Sequence, residues 1–131
     1  MVLGRPGRLS GKARRQLIRA AHQIGWQNAR PDGWRKTRGE DLTSSGAELP
    51  RFDDLDRPDL LAAFGALGCV SPAGMGGFIP LPFAELRAYG QATGRLSTPW
   101  EYETIRAMSE AYLAGLAEGR DLLSIMPIDR D

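Results

Sequence analysis

The clearest hydrophobic pattern lies in the last third of the chain. Apolar and small side chains recur there every three or four residues, which places them on one broad side of a helix. Thr98 and Glu101 have the spacing of a capping box, and Pro99 suits the first helical position because its missing N–H would be unpaired there anyway. Gly119 is a typical residue at the end of a helix. The pattern therefore predicts an amphipathic helix over about 99–118.

Two shorter stretches also show apolar side chains at helical spacing. Leucine and phenylalanine residues recur over about 57–67, and Phe83, Leu86 and Tyr89 recur over about 82–90. The stretch between these two helices is rich in glycine and proline and is predicted to be a loop. We expect an all-α fold with a small three-helix core, built from the helices at about 57–67, 82–90 and 99–118.

The first fifty residues are predicted to form a basic N-terminal arm and linker, followed by a small acidic helical domain at 51–131. Residues 1–9 have the glycine, proline and arginine content of a loose arm. From Ser10 the pattern allows a short basic amphipathic helix, so the arm is expected to be partly helical or disordered. Residues 27–51 combine a turn signal with a run that lacks periodicity. The basic helix can bind nucleic acid phosphates, lie on an anionic surface, or dock on the acidic half of its own chain.

The charges divide the chain into two parts of opposite sign. Residues 1–39 contain ten Lys and Arg residues against one Asp, and residues 40–131 contain seven against fifteen Asp and Glu. Net charges of +9 and −8 leave a formal net charge of only +1 for the whole chain. This asymmetry indicates an electrostatic partner, either within the chain or outside it.

Several chemistries are disfavoured by what the sequence lacks. The single cysteine, Cys69, has no partner for an internal disulfide, and the single histidine, His22, cannot supply a zinc cluster or a base beside a nucleophile. The acidic residues at 53–59 lack the spacing of a calcium loop. Gly74–Gly77 lacks the Lys-Ser/Thr of a phosphate loop. We therefore expect no metal, no cofactor and no enzymatic activity.

Length and hydropathy also limit the protein's location. The chain of 131 residues suits one domain, or a smaller domain with a tail. No apolar run approaches the roughly 20 residues that span a bilayer, and the first ten residues lack the apolar segment of a signal peptide. These features predict a cytoplasmic protein with no membrane partner.

Basic and aromatic side chains in the first third of the chain are candidates for binding nucleic acid. Arginine and lysine neutralise phosphates, and tryptophan stacks on bases. The candidates are Arg14, Arg15, Arg19, Trp26, Trp34, Arg35, Lys36 and Arg38. A helix-turn-helix reader is not expected, because the helix at 99–118 begins with Glu101 and Glu103, which would face the phosphates.

The order of motifs from Leu55 to Leu116 resembles a known family. A Leu-Leu-x-x-Phe helix at 60–64 is followed by Gly-Met-Gly-Gly at 74–77, and by Ile79-Pro80 leading into Phe83-x-x-Leu86-x-x-Tyr89. Thr93-Gly94, Leu96-x-x-Pro99-Trp100-Glu101 and Ile105-Arg106-x-Met108-x-x-Ala111-Tyr112-Leu113 come next. These motifs cover about half of the chain and are similar to small tail-morphogenesis proteins of tailed bacteriophages, which are described as tail assembly chaperones. At Ser109 the chain departs from such sequences, which commonly have Asp there.

The resemblance implies a non-enzymatic assembly factor. Such proteins bind the long tape-measure protein in the bacterial host cytoplasm and keep it soluble until tail-tube subunits polymerise around it. Contact with the tail-tube protein is a further expectation. Formation of a homo-oligomer is expected on a separate ground, because a small core gains stability from self-association. We expect the client to contact Trp100, Tyr102, Leu113 and Leu116, although apolar residues at helical spacing are more often part of a core.

Two other functions remain open. A nucleic-acid-binding or packaging-associated phage module would act through residues 5–38, and its binding would fall steeply with salt. A virion structural adaptor would remain in purified particles, whereas a tail assembly chaperone can be absent from them.

Overall fold

The computed structural model describes residues 8–129, with side chains from Ser10 onward. Its α-helices are α1 (Arg8–Asn28), α2 (Arg38–Ser44), α3 (Pro58–Ala66), α4 (Phe83–Thr93) and α5 (Pro99–Gly119). Between α3 and α4, strand β1 (Ser71–Pro72) pairs antiparallel with strand β2 (Phe78–Ile79), with Ser71 opposite Ile79. A 3-10 turn lies at Pro127–Asp129. The described chain is mostly helical, which confirms the all-α class.

Helices α1 and α5 run in the same direction and touch along most of their length. Near their starts, Arg14 Nε donates a hydrogen bond to Thr104 Oγ1 at 3.0 Å. Toward their ends, His22 Nε2 lies 2.9 Å from Glu118 Oε2. The basic helix is therefore docked lengthwise on the helix that the sequence predicts most clearly.

Glycines bring the two backbones together where the helices cross. A Cβ atom at Gly115 would lie 2.7 Å from the backbone nitrogen of Trp26, and one at Gly119 would lie 2.8 Å from the Trp26 carbonyl oxygen. A Cβ atom at Gly25 would lie 2.9 Å from the carbonyl carbon of Tyr112. These distances are shorter than van der Waals contact, so the crossing requires glycine at all three positions.

One hydrophobic core is shared by α1 and the later helices. Its buried side chains are Leu17, Ala21, Leu60, Ala63, Phe64, Leu81, Leu86, Leu96, Ile105, Met108 and Tyr112. The rings of Phe64 and Tyr112 meet edge to face, with centroids 6.0 Å apart. The predicted three-helix core is not confirmed, because α1 contributes a fourth helix to the same cluster. The predicted boundary at residue 50 does not separate two cores within the described residues.

The basic helix α1 meets acidic side chains of α5. Besides the contact between His22 and Glu118, Arg14 Nη2 lies 3.8 Å from Glu103 Oε2. Of the three roles expected for a basic helix, docking on its own chain is the one that the structure shows. The loose arm predicted at 1–9 lies outside the described residues for positions 1–7, and positions 8 and 9 begin α1.

The linker predicted at 27–51 contains the short helix α2, which begins with a capping box. Thr37 Oγ1 accepts from the Glu40 N–H (3.1 Å), and Glu40 Oε1 accepts from the Thr37 N–H (2.9 Å). The capping box predicted for α5 is confirmed: Thr98 Oγ1 accepts from the Glu101 N–H (3.2 Å), and Glu101 Oε1 accepts from the Thr98 N–H (3.0 Å). Each box satisfies backbone donors that a helix leaves unpaired at its start.

Replacing Gly115 with alanine is expected to lower the free energy of unfolding by about 3 kcal/mol, because the added methyl group overlaps the backbone of α1. Gly65→Ala in α3 is the matched control. It meets no heavy atom within 4 Å and removes a glycine from a helix, so it should raise stability by up to about 1 kcal/mol. Urea unfolding followed by circular dichroism measures both changes. Equal stability of Gly115→Ala and the wild type would contradict the close crossing.

Candidate partner-binding site

The β1–β2 hairpin presents three apolar side chains to solvent: Met75, Phe78 and Ile79, called here the hairpin surface. Met75 is fully exposed, and Phe78 and Ile79 are 54% and 43% exposed. Met75 also has a φ of 67°, which is uncommon for a residue other than glycine. A bulky apolar side chain in this conformation marks the tip of the hairpin as a candidate contact surface.

Ser109, which is fully buried on α5, holds both ends of the segment that carries the hairpin. Its Oγ donates to the Cys69 carbonyl oxygen (2.6 Å) and accepts from the Leu81 N–H (2.9 Å). A hydroxyl group can donate and accept at once, so Ser109 can make both bonds. The Asp that is common at this position in the sequences it resembles could, as an ionised carboxylate, only accept. Sequence patterning predicts only a loop for this segment, since strands of two residues are too short to show alternation.

A groove of about 500 Å³ lies between α4 and α5 and is called here the α4–α5 groove. It is mostly apolar and is lined by Phe83, Arg87, Gln91, Pro99, Tyr102 and Glu103. The α4 residues are spaced four apart and follow one side of that helix. Tyr102 is held in place because its Oη donates to the Leu96 carbonyl oxygen (3.1 Å), and Gly90 leaves room for its ring. One wall of the groove is thus formed by a side chain that is held in place.

Positive charge stands beside this groove. The Arg106 guanidinium lies 5.5 Å from the centroid of the Phe83 ring, and its Nε has no hydrogen-bond acceptor among the described residues. Arg87 is exposed and forms no ion pair with any described residue. On the opposite side, Glu103 is largely exposed and lies 3.8 Å from Arg14. The groove therefore offers an apolar base with charges of both signs at its rim.

The residues predicted to contact a client are Trp100, Tyr102, Leu113 and Leu116. Only Tyr102 lines the α4–α5 groove. The ring of Trp100 is covered by the guanidinium groups of Arg14 (5.4 Å to the centroid) and Arg57 (5.6 Å). The two leucines are half-buried, and Leu116 packs against the core. The structure therefore does not bring the four side chains into one pocket.

Three of the predicted nucleic-acid-binding residues have an internal role: Arg14, which contacts Thr104 and the Trp100 ring, Trp26 and Arg38. Trp26 is only 4% exposed, and its Nε1–H donates to Ser124 Oγ (2.8 Å). Arg38 lies over the rings of Trp26 (4.7 Å) and Trp34 (5.5 Å), and its Nε donates to the Gly119 carbonyl oxygen (2.8 Å). Arg38 therefore closes the C-terminal end of α5, where unpaired carbonyl groups favour a cation.

Other members of that predicted set remain at the surface. Arg15 and Arg35 are exposed, and Arg19 is exposed while donating a hydrogen bond within the chain. Lys36 is exposed and donates to a serine hydroxyl on α2. Lys12, Arg15 and Arg19 form a basic stripe along the outer side of α1.

A second exposed apolar feature follows α5 in the turn Asp121–Ser124, called here the leucine turn. Leu122 and Leu123 are 58% and 89% exposed. The Ser124 N–H donates to the Asp121 carbonyl oxygen (3.0 Å), and Asp121 Oδ1 accepts from the Leu123 N–H (3.0 Å). The leucines occupy the two central positions, where turns usually have polar residues, glycine or proline. Sequence reasoning missed this feature, although Asp-Leu-Leu-Ser directly after a helix end is a readable signal.

Two other kinds of site are absent from residues 8–129. No three His, Cys, Asp or Glu side chains in that range lie close enough to hold a metal ion. No helix there combines the length and apolarity needed to cross a membrane. Comparison with known proteins finds no matching family model, curated protein or solved structure. The hairpin surface, the α4–α5 groove and the leucine turn are the candidate functional surfaces.

Glu101, in the first turn of α5, binds Arg57, the residue that precedes α3. Burial alone would raise the pKa of its carboxyl group, but hydrogen bonds from the Ser97 N–H, the Arg57 guanidinium and the Thr98 N–H outweigh burial and lower the pKa to about 2. Arg57 Nη2 lies 2.6 Å from Glu101 Oε2. This network also positions the guanidinium that covers Trp100.

Acidification is expected to weaken the fold through Glu101. Because the folded-state pKa of about 2 lies below the ordinary value of 4.5, the carboxylate stabilises the fold above pH 4.5, and this contribution is lost as the pH falls toward 2. The loss should reach about 3 kcal/mol in the free energy of unfolding. Glu101→Gln should therefore be less stable than the wild type at pH 7 but not at pH 2, as measured by urea unfolding.

The matched control for this prediction is Glu40→Gln, which alters the exposed capping box of α2. Hydrogen bonds from Thr37 lower the pKa of Glu40 as well, but its full exposure weakens every electrostatic contribution. The difference from the wild type should be smaller than for Glu101→Gln. A difference between the wild type and Glu101→Gln that does not change with pH would contradict the role assigned to this carboxylate.

Proposed function

We propose that this protein is a tail assembly chaperone of a tailed bacteriophage, which binds the tape-measure protein in the host cytoplasm during tail morphogenesis. The observation that carries the proposal is the hairpin surface, where Met75, Phe78 and Ile79 are exposed on a segment anchored to α5 by Ser109. The motif resemblance supports the same class, since it includes the glycine-rich loop around Met75.

An apolar surface on an anchored loop suits the binding of another protein. Loops positioned by a rigid scaffold are common binding sites, and clustered apolar side chains at a surface mark such sites. Methionine is unbranched and flexible, so Met75 can adapt to an irregular apolar partner. A client with an apolar stripe along a helix would cover the three side chains of the hairpin surface.

The hairpin surface is a better contact for a client than the residues that the sequence favours. Trp100 is already covered by two guanidinium groups, and Leu113 and Leu116 are half-buried on α5. Those three side chains therefore offer a client less apolar surface than the hairpin does. Binding at the hairpin requires no rearrangement, because its side chains already face solvent.

Replacing Met75 and Phe78 together with serine is expected to lower the yield of soluble tape-measure protein on co-expression by at least about tenfold, because a few apolar anchors carry most of the energy of an interface. Both side chains are exposed, so the fold should be unchanged, which circular dichroism checks. Leu122→Ser with Leu123→Ser is the matched control. It removes two exposed apolar side chains elsewhere and should leave the yield unchanged.

The full-length chain is used in this test, because α1 belongs to the core and a truncation at residue 50 would remove it. No soluble client with the wild type would contradict the proposed function. A normal yield with the Met75 and Phe78 variant, or an equal loss with both double variants, would show that the client binds elsewhere.

A nucleic-acid-binding or packaging-associated role is the main alternative, and the basic stripe of α1 favours it. Lys12 and Arg15 are exposed, and Arg35 is exposed in the turn region after α1. Each phosphate that such cations neutralise changes the slope of log affinity against log salt by about 0.9. The salt dependence therefore distinguishes this role from binding of an apolar client.

Replacing Lys12 and Arg15 with alanine is expected to leave the yield of soluble tape-measure protein unchanged, because both side chains lie on α1 and outside the hairpin surface. If the protein instead binds DNA or RNA through α1, the slope of log affinity against log salt concentration should become shallower by about 2 in this variant. Arg87→Ala with Arg95→Ala removes the same charge away from α1 and serves as the control. Filter binding over a salt series measures the slopes. A slope that becomes shallower in the Lys12 and Arg15 variant but not in the control would favour the nucleic-acid role.

A further inference from the structure

We infer that the leucine turn of one copy docks into the α4–α5 groove of a second copy, so that the protein self-associates head to tail. This contact goes beyond the binding of a tape-measure protein and does not depend on it. It joins an exposed apolar projection to an exposed apolar groove that lie on different parts of the same chain.

The leucine turn is held in one conformation before any partner arrives. Its two internal hydrogen bonds close the turn, and Trp26 Nε1–H donates to Ser124 Oγ from α1. Arg38 Nη2 donates to the Asp121 carbonyl oxygen from the other side. Little conformational freedom remains to be lost on docking, which favours association through a small contact.

The α4–α5 groove has the size and polarity to receive the turn. Its volume of about 500 Å³ is large enough for two leucine side chains, and Phe83 and Tyr102 supply apolar walls. Phe83 is 49% exposed, so a partner that covers its ring would remove apolar surface from water. The groove is also open to solvent, so a projecting turn can approach it.

The charges at the two surfaces are complementary. Asp121 is exposed beside the leucines, and Arg87 on the groove forms no ion pair with any described residue. Glu103, on the other wall of the groove, already lies 3.8 Å from Arg14 of its own chain. Asp121 and Arg87 are therefore the complementary pair, and a contact between them favours one orientation of docking.

The two surfaces cannot meet within one molecule. Glu103 and Gly119 are sixteen residues apart on α5, which separates them by about 24 Å along the helix axis. The leucine turn is tied to the far end of α5 by Arg38 and Trp26. A leucine turn that occupies the groove must then come from a second copy, and contacts between two different surfaces build closed rings or open chains of copies.

The hairpin surface of a second copy is a less suitable occupant of the groove. Residues 71–81, which carry it, contain no charged side chain that could pair with Arg87 or Glu103. The leucine turn supplies both an apolar tip and, in Asp121, a charge that matches Arg87. The structure therefore favours the leucine turn as the occupant. A contact through the hairpin would instead appear, in the experiment below, as self-association that both single variants retain.

Sedimentation velocity of the purified full-length protein tests the inference over about 5 to 500 µM, the range in which small interfaces dissociate. The wild type should increase in average mass with concentration and pass beyond a dimer. Leu123→Asp and Phe83→Asp should each weaken self-association at least about tenfold. Both variants should fold, because Leu123 is 89% exposed and Phe83 is the first residue of α4, where an acidic side chain is favourable.

An equimolar mixture of the two variants provides the decisive measurement. Leu123→Asp keeps an intact groove, and Phe83→Asp keeps an intact turn, so the mixture should form a heterodimer that stops at two chains. Circular dichroism confirms that each variant is folded, and Arg87→Glu replaces Phe83→Asp if the latter is not. A wild type that stays monomeric, a mixture that stays monomeric, or a dimer that both single variants retain would overturn the inference. None of these samples contains a tape-measure protein, so the result is independent of the proposed function.

Discussion

The structure depends on the close crossing of α1 and α5 at Gly25, Gly115 and Gly119. Because the backbones touch there, Leu17 and Ala21 of α1 reach the same core as Ile105 and Met108 of α5. A side chain at any of the three glycines would separate the helices and open that core. The crossing also brings Trp26 to the end of α5, where it supports the leucine turn. A contact without any large side chain thus determines how the two halves of the chain pack.

Helix α5 positions each of the candidate partner surfaces. Ser109 in its middle holds the segment of the hairpin surface, and Tyr102 near its start forms a wall of the α4–α5 groove. The leucine turn follows its last residue and is fixed by Arg38. The surfaces are therefore carried at set positions along one rigid element, which suits a protein that contacts more than one partner at the same time.

The strong charge asymmetry of the chain is used partly for internal packing. Arg14 and His22 of α1 face Glu103 and Glu118 of α5, and Arg38 satisfies carbonyl groups at the end of α5. These side chains are engaged within the fold, while the outer stripe of α1 still faces solvent. The apolar surfaces therefore distinguish this protein more clearly than its charge does, and this supports a partner that is itself a protein.

The sequence by itself determined α5, its capping box and the helices on either side of the hairpin, because helical spacing and caps depend on neighbouring residues. It could not reveal which helix covers which. The tertiary structure decided that α1 belongs to the core, because Gly25 and Gly115 give no hydrophobic signal although they allow the closest approach. It likewise covered Trp100 with arginines that lie far away in the sequence. A pattern marks the apolar side of a helix, but only packing in three dimensions decides what covers that side and what remains exposed.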